Sequence, residues 1–201
     1  MMYNIMDQQE DTIRKRKEEI RKEIIRRLRD QDPSLREQRS RRIQEELLSS
    51  GEFRVSRTVM TYVSLPTEVD TYYFIEEALK RGKRVAVPYI EPQDQTITAS
   101  ELTEIEGLEK GPFGIYQPKE GLAGRRIPLE EIDLIVVPAI AYGKGNMRLG
   151  RGKGYFDRFL AREDLSPAKT IGLAFHFQVI STLPSAPHDR PVLRVITDQS
   201  R

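Results

Sequence analysis

The chain has 201 residues, length enough for one sizeable domain with a full hydrophobic core. Its 33 Lys and Arg nearly balance 31 Asp and Glu, for a formal net charge of +2, which excludes the broad basic excess of a general nucleic-acid coat and makes any anion site local. Cysteine is absent, which excludes disulfides, zinc–thiolate centres and a cysteine nucleophile, and with no apolar run of about 18 residues and no signal-peptide core a cytoplasmic protein is expected.

The first ten residues are polar and read as loose. From Ile13 the pattern is helical: Ile13, Ile20, Ile24 and Leu28 share one face, and Lys, Arg and Glu fill the rest. Asp32-Pro33 reads as an N-cap with proline at the first helical position, predicting a second helix to about Leu48 with Gly51 as its stop. This helical segment, about 12–50, opens a single domain covering 1–201. "TVMTYVS" (58–64) is β-branched and reads as a strand. "VDTYYFIEEALKRG" predicts a helix capped by Asp70 or Thr71 and ended by Gly82. "KRVAVPYI" is the next strand, and "QTITASEL" has strand character. "GLEKGPFGIYQPKEGLAG" (107–124) reads as a long loop punctuated by Gly and Pro.

"IDLIVVPAIAYG" (132–143) is the most apolar run and suits a parallel strand buried on both faces. A helix is predicted from about Tyr155 to Arg162, with Phe156, Phe159 and Leu160 as its core face. "KTIGLAF" and "VLRVITD" read as strands, and "FQVISTLP" between them as a short helix or turn. Strands alternating with helices predict an α/β domain with a mostly parallel sheet, whose ligands bind beyond the carboxyl ends of the strands.

Between the apolar run and the last helix lies "RLGRGKGYFDR" (148–158). Phosphate needs backbone N–H groups aimed at it and cations nearby. Glycine removes the Cβ that blocks close approach, and a helix N-terminus adds partial positive charge. Strand, Gly-x-Gly-x-Gly, helix is therefore an anion cradle, with Arg148, Arg151 and Lys153 as cations and Asp157 able to hold Mg²⁺. It is not a P-loop: Gly145 to Gly150 has the spacing, but Arg151 and Gly152 follow instead of Lys and Ser/Thr. Nor is it the G-x-G-x-x-G fingerprint, because the third glycine comes one residue early. The plain alternative is a surface turn with solvated charges.

The run "RLGRGKGYFDRFL" resembles the signature of the 5-formyltetrahydrofolate cyclo-ligase (5,10-methenyltetrahydrofolate synthetase) family. "KEEIR" resembles that family's N-terminal Lys-x-x-x-Arg element, and "YVSLPTEVDT" its first strand and Glu-Val-Asp-Thr turn. "GKRVAVP", "DLIVVPAIAY", "GLAFHFQ" and "LPSAPHD" follow in the expected order. The resemblance implies a Rossmann-like three-layer α/β/α fold. It also implies Mg²⁺- and ATP-dependent closure of 5-formyltetrahydrofolate to 5,10-methenyltetrahydrofolate, releasing ADP and phosphate. Phosphorylation of the formyl oxygen makes it a leaving group, and N10 then attacks that carbon.

Carried over by position, the resemblance implies ATP contacts from Lys17, Arg21, Arg148, Leu149, Gly150, Arg151, Gly152, Lys153, Gly154, Tyr155 and Phe156. It implies folate contacts from Val63, Glu68, Arg151, Gly152, Lys153, Gly154 and Tyr155, and Mg²⁺ contacts from Asp157 and Asp189. Lys153, Arg151 and Arg148 would carry the catalytic charge. Three positions depart from the family pattern before the loop or in it: Gly143 and Asn146 stand where an acid and a glycine are usual, and Phe156 where tyrosine is common. The implied partners are ATP and 5-formyltetrahydrofolate alone, without nucleic acid or membrane, for a monomer.

Bland roles compete for several of these residues. Lys17 and Arg21 lie in a helix crowded with solvated charge, Glu68 suits a helix cap, and Asp189 suits a turn. Neither His176 nor His188 is assigned to catalysis. Two other function classes remain open on sequence. One is a nucleic-acid-binding module on helix 14–29, blunted by Glu18, Glu19 and Glu23. The other is an α/β enzyme that binds sugar phosphates with the same loop and without ATP.

Overall fold

The computed structural model describes residues 2–91, 93, 96–111, 114–119, 125–165, 168–186 and 189–199, without the side chains of 2–7, 9 and 10. Gln95, His188 and parts of the predicted 107–124 loop lie outside the described residues. Helix α1 (Met2–Arg29) starts eleven residues earlier than the apolar pattern suggests, because no Gly or Pro precedes Pro33 to stop it. It buries Ile20, Ile24 and Leu28. Asp32 caps α2 (Pro33–Ser49) by accepting the Leu35 N–H at 2.9 Å. Gly51 does not stop that helix. Ser50 does, since its Oγ donates to the Leu47 carbonyl at 2.6 Å and accepts the Phe53 N–H, opening the short α3 (Gly51–Val55).

Strand β1 (Thr58–Thr61) is wholly buried, and α4 (Tyr72–Lys80) follows it. Thr71 is the cap position of α4, but the side chain that accepts the Tyr72 N–H is Asp70. Thr71 instead ties the preceding loop, donating to the Tyr62 carbonyl and accepting the Ser64 N–H. Gly82, at φ +71°, ends the turn after α4. Strands β2 (Arg84–Ile90) and β3 (Ile97–Leu102) pair antiparallel. The predicted 107–124 loop contains a small hairpin, β4 (Leu108–Lys110) with β5 (Tyr116–Pro118), too short for an alternating pattern to betray.

The apolar run 132–143 is two strands, not one. Strand β6 (Leu134–Val137) is buried throughout, Pro138 breaks it, and β7 (Ala141–Tyr142) turns back to pair with β8 (Arg148–Leu149). Helix α5 (Tyr155–Leu160) ends two residues before the predicted Arg162. Of its three predicted core residues only Phe159 is buried, while Phe156 and Leu160 are half-buried. Strands β9 (Lys169–Ala174) and β10 (Arg194–Thr197) complete the central sheet.

That sheet runs β10-β9-β6-β1-β2-β3, and only β3 is antiparallel. Alternate residues along it feed two cores. Val59, Val85, Leu134 and Val136 face α1, α2 and α4, while Met60, Ala86, Ile135 and Val137 face α5 and the segment around Ile127–Ile132. The result is a three-layer α/β/α arrangement with a mostly parallel sheet. The chain leaves β1 for β2 on one side and returns as β6 on the other. The topological switch therefore lies between β1 and β6, where a crevice opens beyond the strand ends.

Candidate functional site

Both strands at the switch deliver residues straight into the crevice. Tyr62 and Val63 follow β1, and Pro138 and Ala139 follow β6. The β6 end is braced by Gln178, a buried side chain whose Nε2 donates to the Ala139 and Ile140 carbonyls at 3.2 and 3.0 Å and whose Oε1 accepts the Phe175 N–H. Tyr142 packs beneath, donating to the Val137 carbonyl at 2.7 Å. Gly172 makes room for it: a Cβ there would stand 2.3 Å from the tyrosine hydroxyl. Burial, with Glu68 nearby, pushes the Tyr142 and Tyr62 phenols well above the usual range.

The two departures at the mouth of the loop have packing reasons. A Cβ on Gly143 would lie 2.5 Å from that of Leu183, so the side chain usual here has no room. Asn146 adopts φ +56°, a conformation in which asparagine readily replaces glycine, and its Nδ2 donates to the Leu193 carbonyl at 2.9 Å.

The strand feeding the glycine loop is the two-residue β8 rather than the long apolar run. Arg148, on β8, is buried. Its Nη1 donates to the Pro138 carbonyl at 3.2 Å, its Nη2 meets Asp157 Oδ1 at 2.5 Å, and its Nε is buried without a partner. Gly152 at φ +98° and Gly154 at φ +70° hold turns that side chains adopt only with strain. Gly152 also lies against Arg21, whose Nε donates to the Gly150 carbonyl at 2.9 Å. Burial lowers the pKa of Arg21, partly offset by Glu18, Asp189 and Asp157. Lys17 Nζ meets Asp189 Oδ2 at 2.5 Å, both side chains 9% exposed, and the same oxygen accepts the Ala186 N–H. Arg151 Nη2 meets Glu68 Oε1 at 2.6 Å, and Glu68 Oε2 accepts the Leu65 N–H at 2.9 Å.

Two hollows lie on either side of this loop and share Gly150, Gly154 and Asp157 as a common wall. One is apolar, formed by Tyr62, Val63, Ile90, Ile97 and Ile115, with Glu68 at its edge. The other is charged, formed by Lys17 and Arg21 from α1 with Leu149, Gly152 and Asp189. The predicted nucleotide run is thus divided. Arg148, Arg151, Lys153, Tyr155 and Phe156 line the apolar pocket, while Leu149, Gly150, Gly152 and Gly154 line the charged cleft with Lys17 and Arg21. Asp157 and Asp189 both reach the cleft.

Sequence reading missed Ile97, Ile115 and Ala139 on the apolar side and Asp11, Arg14 and Glu18 on the charged side. The last three were findable: with Arg21 they recur every three or four residues, one face of α1. Among the described residues no three His, Cys, Asp or Glu gather as a ready-made metal cluster, and no helix is long and apolar enough to cross a membrane.

An α/β sheet whose switch-point crevice is split by a glycine loop, with an apolar pocket on one side and a cation-lined cleft on the other, defines the class of α/β proteins with a two-sided site at the strand ends. Comparison with known proteins narrows that class. The profile of the 5-formyltetrahydrofolate cyclo-ligase family matches residues 13–198. A 5-formyltetrahydrofolate cyclo-ligase from Mus musculus is 30% identical, over 94% of this chain and 97% of its own length. One from Haemophilus influenzae is 28% identical, over 90% and 97%. The NMR structure of Aquifex aeolicus 5,10-methenyltetrahydrofolate synthetase superposes with a TM-score of 0.79 at 32% identity, covering 92% of this chain and 90% of that one. This chain belongs to the 5-formyltetrahydrofolate cyclo-ligase family.

Proposed function

We propose that the chain catalyses the ATP- and Mg²⁺-dependent cyclisation of 5-formyltetrahydrofolate to 5,10-methenyltetrahydrofolate. One observation carries this reading: a single glycine loop is the wall between an apolar pocket and a cation-lined cleft. Phosphoryl transfer needs positioning and charge neutralisation, and a shared wall puts donor and acceptor within reach across it.

The folate ring system occupies the apolar pocket against Val63, with Glu68 accepting hydrogen bonds from its N–H groups. The ATP phosphates lie in the cleft against Lys17, Arg21 and the N–H groups of Gly150, Gly152 and Gly154. Lys153, Arg151 and Arg148 stand on the folate side and stabilise the negative charge on the γ-phosphoryl oxygens as that group passes to the formyl oxygen. N10 then closes the ring and phosphate leaves. Tyr155 and Phe156 pack the folate.

The residues present fit a magnesium ion. Asp157 and Asp189 offer hard oxygen donors in the same cleft, and Mg²⁺ characteristically takes one or two carboxylates plus phosphate oxygens and water. When bound, the ion neutralises phosphate charge.

The protein works as a cytoplasmic monomer without nucleic acid or membrane. Pairing along α1 counts against the nucleic-acid reading alone, since Arg16 meets Glu19 and Arg26 meets Glu23 and Asp30. Binding measured separately tests the two-sided site. Arg21→Gln should weaken Mg-ATP binding at least tenfold with little effect on 5-formyltetrahydrofolate, and Val63→Phe the reverse, tenfold being about 1.4 kcal/mol. Equal losses of both ligands in both variants would contradict it.

A further inference from the structure

Arg151 is on the wrong side of the loop for a phosphate ligand. The described lining of the charged cleft includes Lys17 and Arg21 but not Arg151, whose guanidinium is turned to the apolar pocket and held there by Glu68 at 2.6 Å. The two ends of this pair differ. The Arg151 side chain is 47% exposed, whereas that of Glu68 is 12% exposed. An arginine so exposed gives up its partner cheaply, because water replaces it. A carboxylate so buried does not, because desolvation leaves its charge uncompensated. Arg151 therefore leaves most readily when other donors reach Glu68 Oε1. The backbone permits the move: Arg151 sits between Gly150 and Gly152, the latter at φ +98°.

We infer that the Glu68–Arg151 pair is a latch released by folate, keeping one cation out of the phosphate cleft until a ligand with paired N–H donors takes Glu68. The inference rests on the two-sided site proposed above. The 2-amino-pyrimidinone edge of a pterin has the required donors, an amino and a ring N–H side by side. Once they replace Arg151 at the carboxylate, the guanidinium is free to swing across the loop toward the γ-phosphate. Folate binding thereby strengthens ATP binding, and by linkage ATP strengthens folate binding equally. ATP without folate meets a cleft one charge short, which restrains idle hydrolysis.

Calorimetric titration with a non-hydrolysable ATP analogue and Mg²⁺ tests the latch. In the unmodified chain, saturating 5-formyltetrahydrofolate should tighten analogue binding about tenfold, within the usual range of coupling between sites. Without folate, Glu68→Gln should tighten it similarly, since the amide still accepts the Leu65 N–H but no longer holds the guanidinium. In an Arg151→Ala background neither folate nor Glu68→Gln should change analogue affinity, which separates the latch from a general field effect of Glu68. Analogue affinity independent of folate in the unmodified chain, or coupling that survives Arg151→Ala, overturns the latch and leaves the two-sided site standing. An unmodified chain that binds no nucleotide with or without folate overturns both.

Discussion

Removing the Asp157 carboxylate tests how the loop is anchored. The Arg148 side chain is 2% exposed and that of Asp157 18% exposed, and they meet at 2.5 Å. Deleting one partner of a buried pair costs about 3–5 kcal/mol, because the other charge is left uncompensated. Two features place Asp157→Ala near 3 kcal/mol on that scale. Arg148 keeps its bond to the Pro138 carbonyl, and the pocket beside Asp157 admits water to the vacated Nη2. Asp157→Asn retains an acceptor oxygen and should cost about 1 kcal/mol. Replacing the pair together, Arg148→Met with Asp157→Leu, should restore most of the loss. Urea unfolding at neutral pH with an unchanged slope measures each difference, and the chain stays folded if its stability is in the ordinary range of about 5–15 kcal/mol. An Asp157→Ala variant within 1 kcal/mol of the unmodified protein, or an Asn variant as damaged as the Ala variant, would refute the reasoning.

Lys153→Ala and Asp157→Asn should abolish turnover while retaining the native circular dichroism spectrum; normal activity in both would sink the site assignment. Gly172→Ala should destabilise by about 3 kcal/mol, from overpacking against Tyr142 and loss of its hydroxyl bond to Val137, and an unchanged melting temperature would contradict this. Tyr62 and Tyr142 are both buried with raised pKa. Because the folded pKa exceeds the unfolded value near 10, their contribution to stability is full below about pH 10 and falls as pH rises above it. Phenolate absorbance should accordingly show these two ionising only as the chain unfolds. Their titration beside the half-buried tyrosines, with the fold intact, would count against the burial of both phenols.

The α/β order, the Asp32 cap and the glycine loop were legible because each is a local rule: alternation, a capping side chain, a spacing. The fold's corrections come from what local rules cannot see. Pro138 splits an apolar run that composition alone reads as one strand. Ser50, not Gly51, ends α2, because a hydroxyl served both helix ends at once. The division of residues 148–156 between two hollows was invisible in sequence. It depends on the antiparallel β7–β8 turn, which sends Arg148 into the crevice and Leu149 to the cleft. The ion pairs Lys17–Asp189 and Arg151–Glu68 join residues far apart in the chain, and only the topology brings them together.

The most direct measurement mixes purified protein with Mg-ATP and 5-formyltetrahydrofolate and follows 5,10-methenyltetrahydrofolate by absorbance, beside a control without ATP. The loop as a wall between two ligands predicts product only when ATP is present, with ADP formed one for one. Folded protein that binds both ligands and forms no product would contradict it.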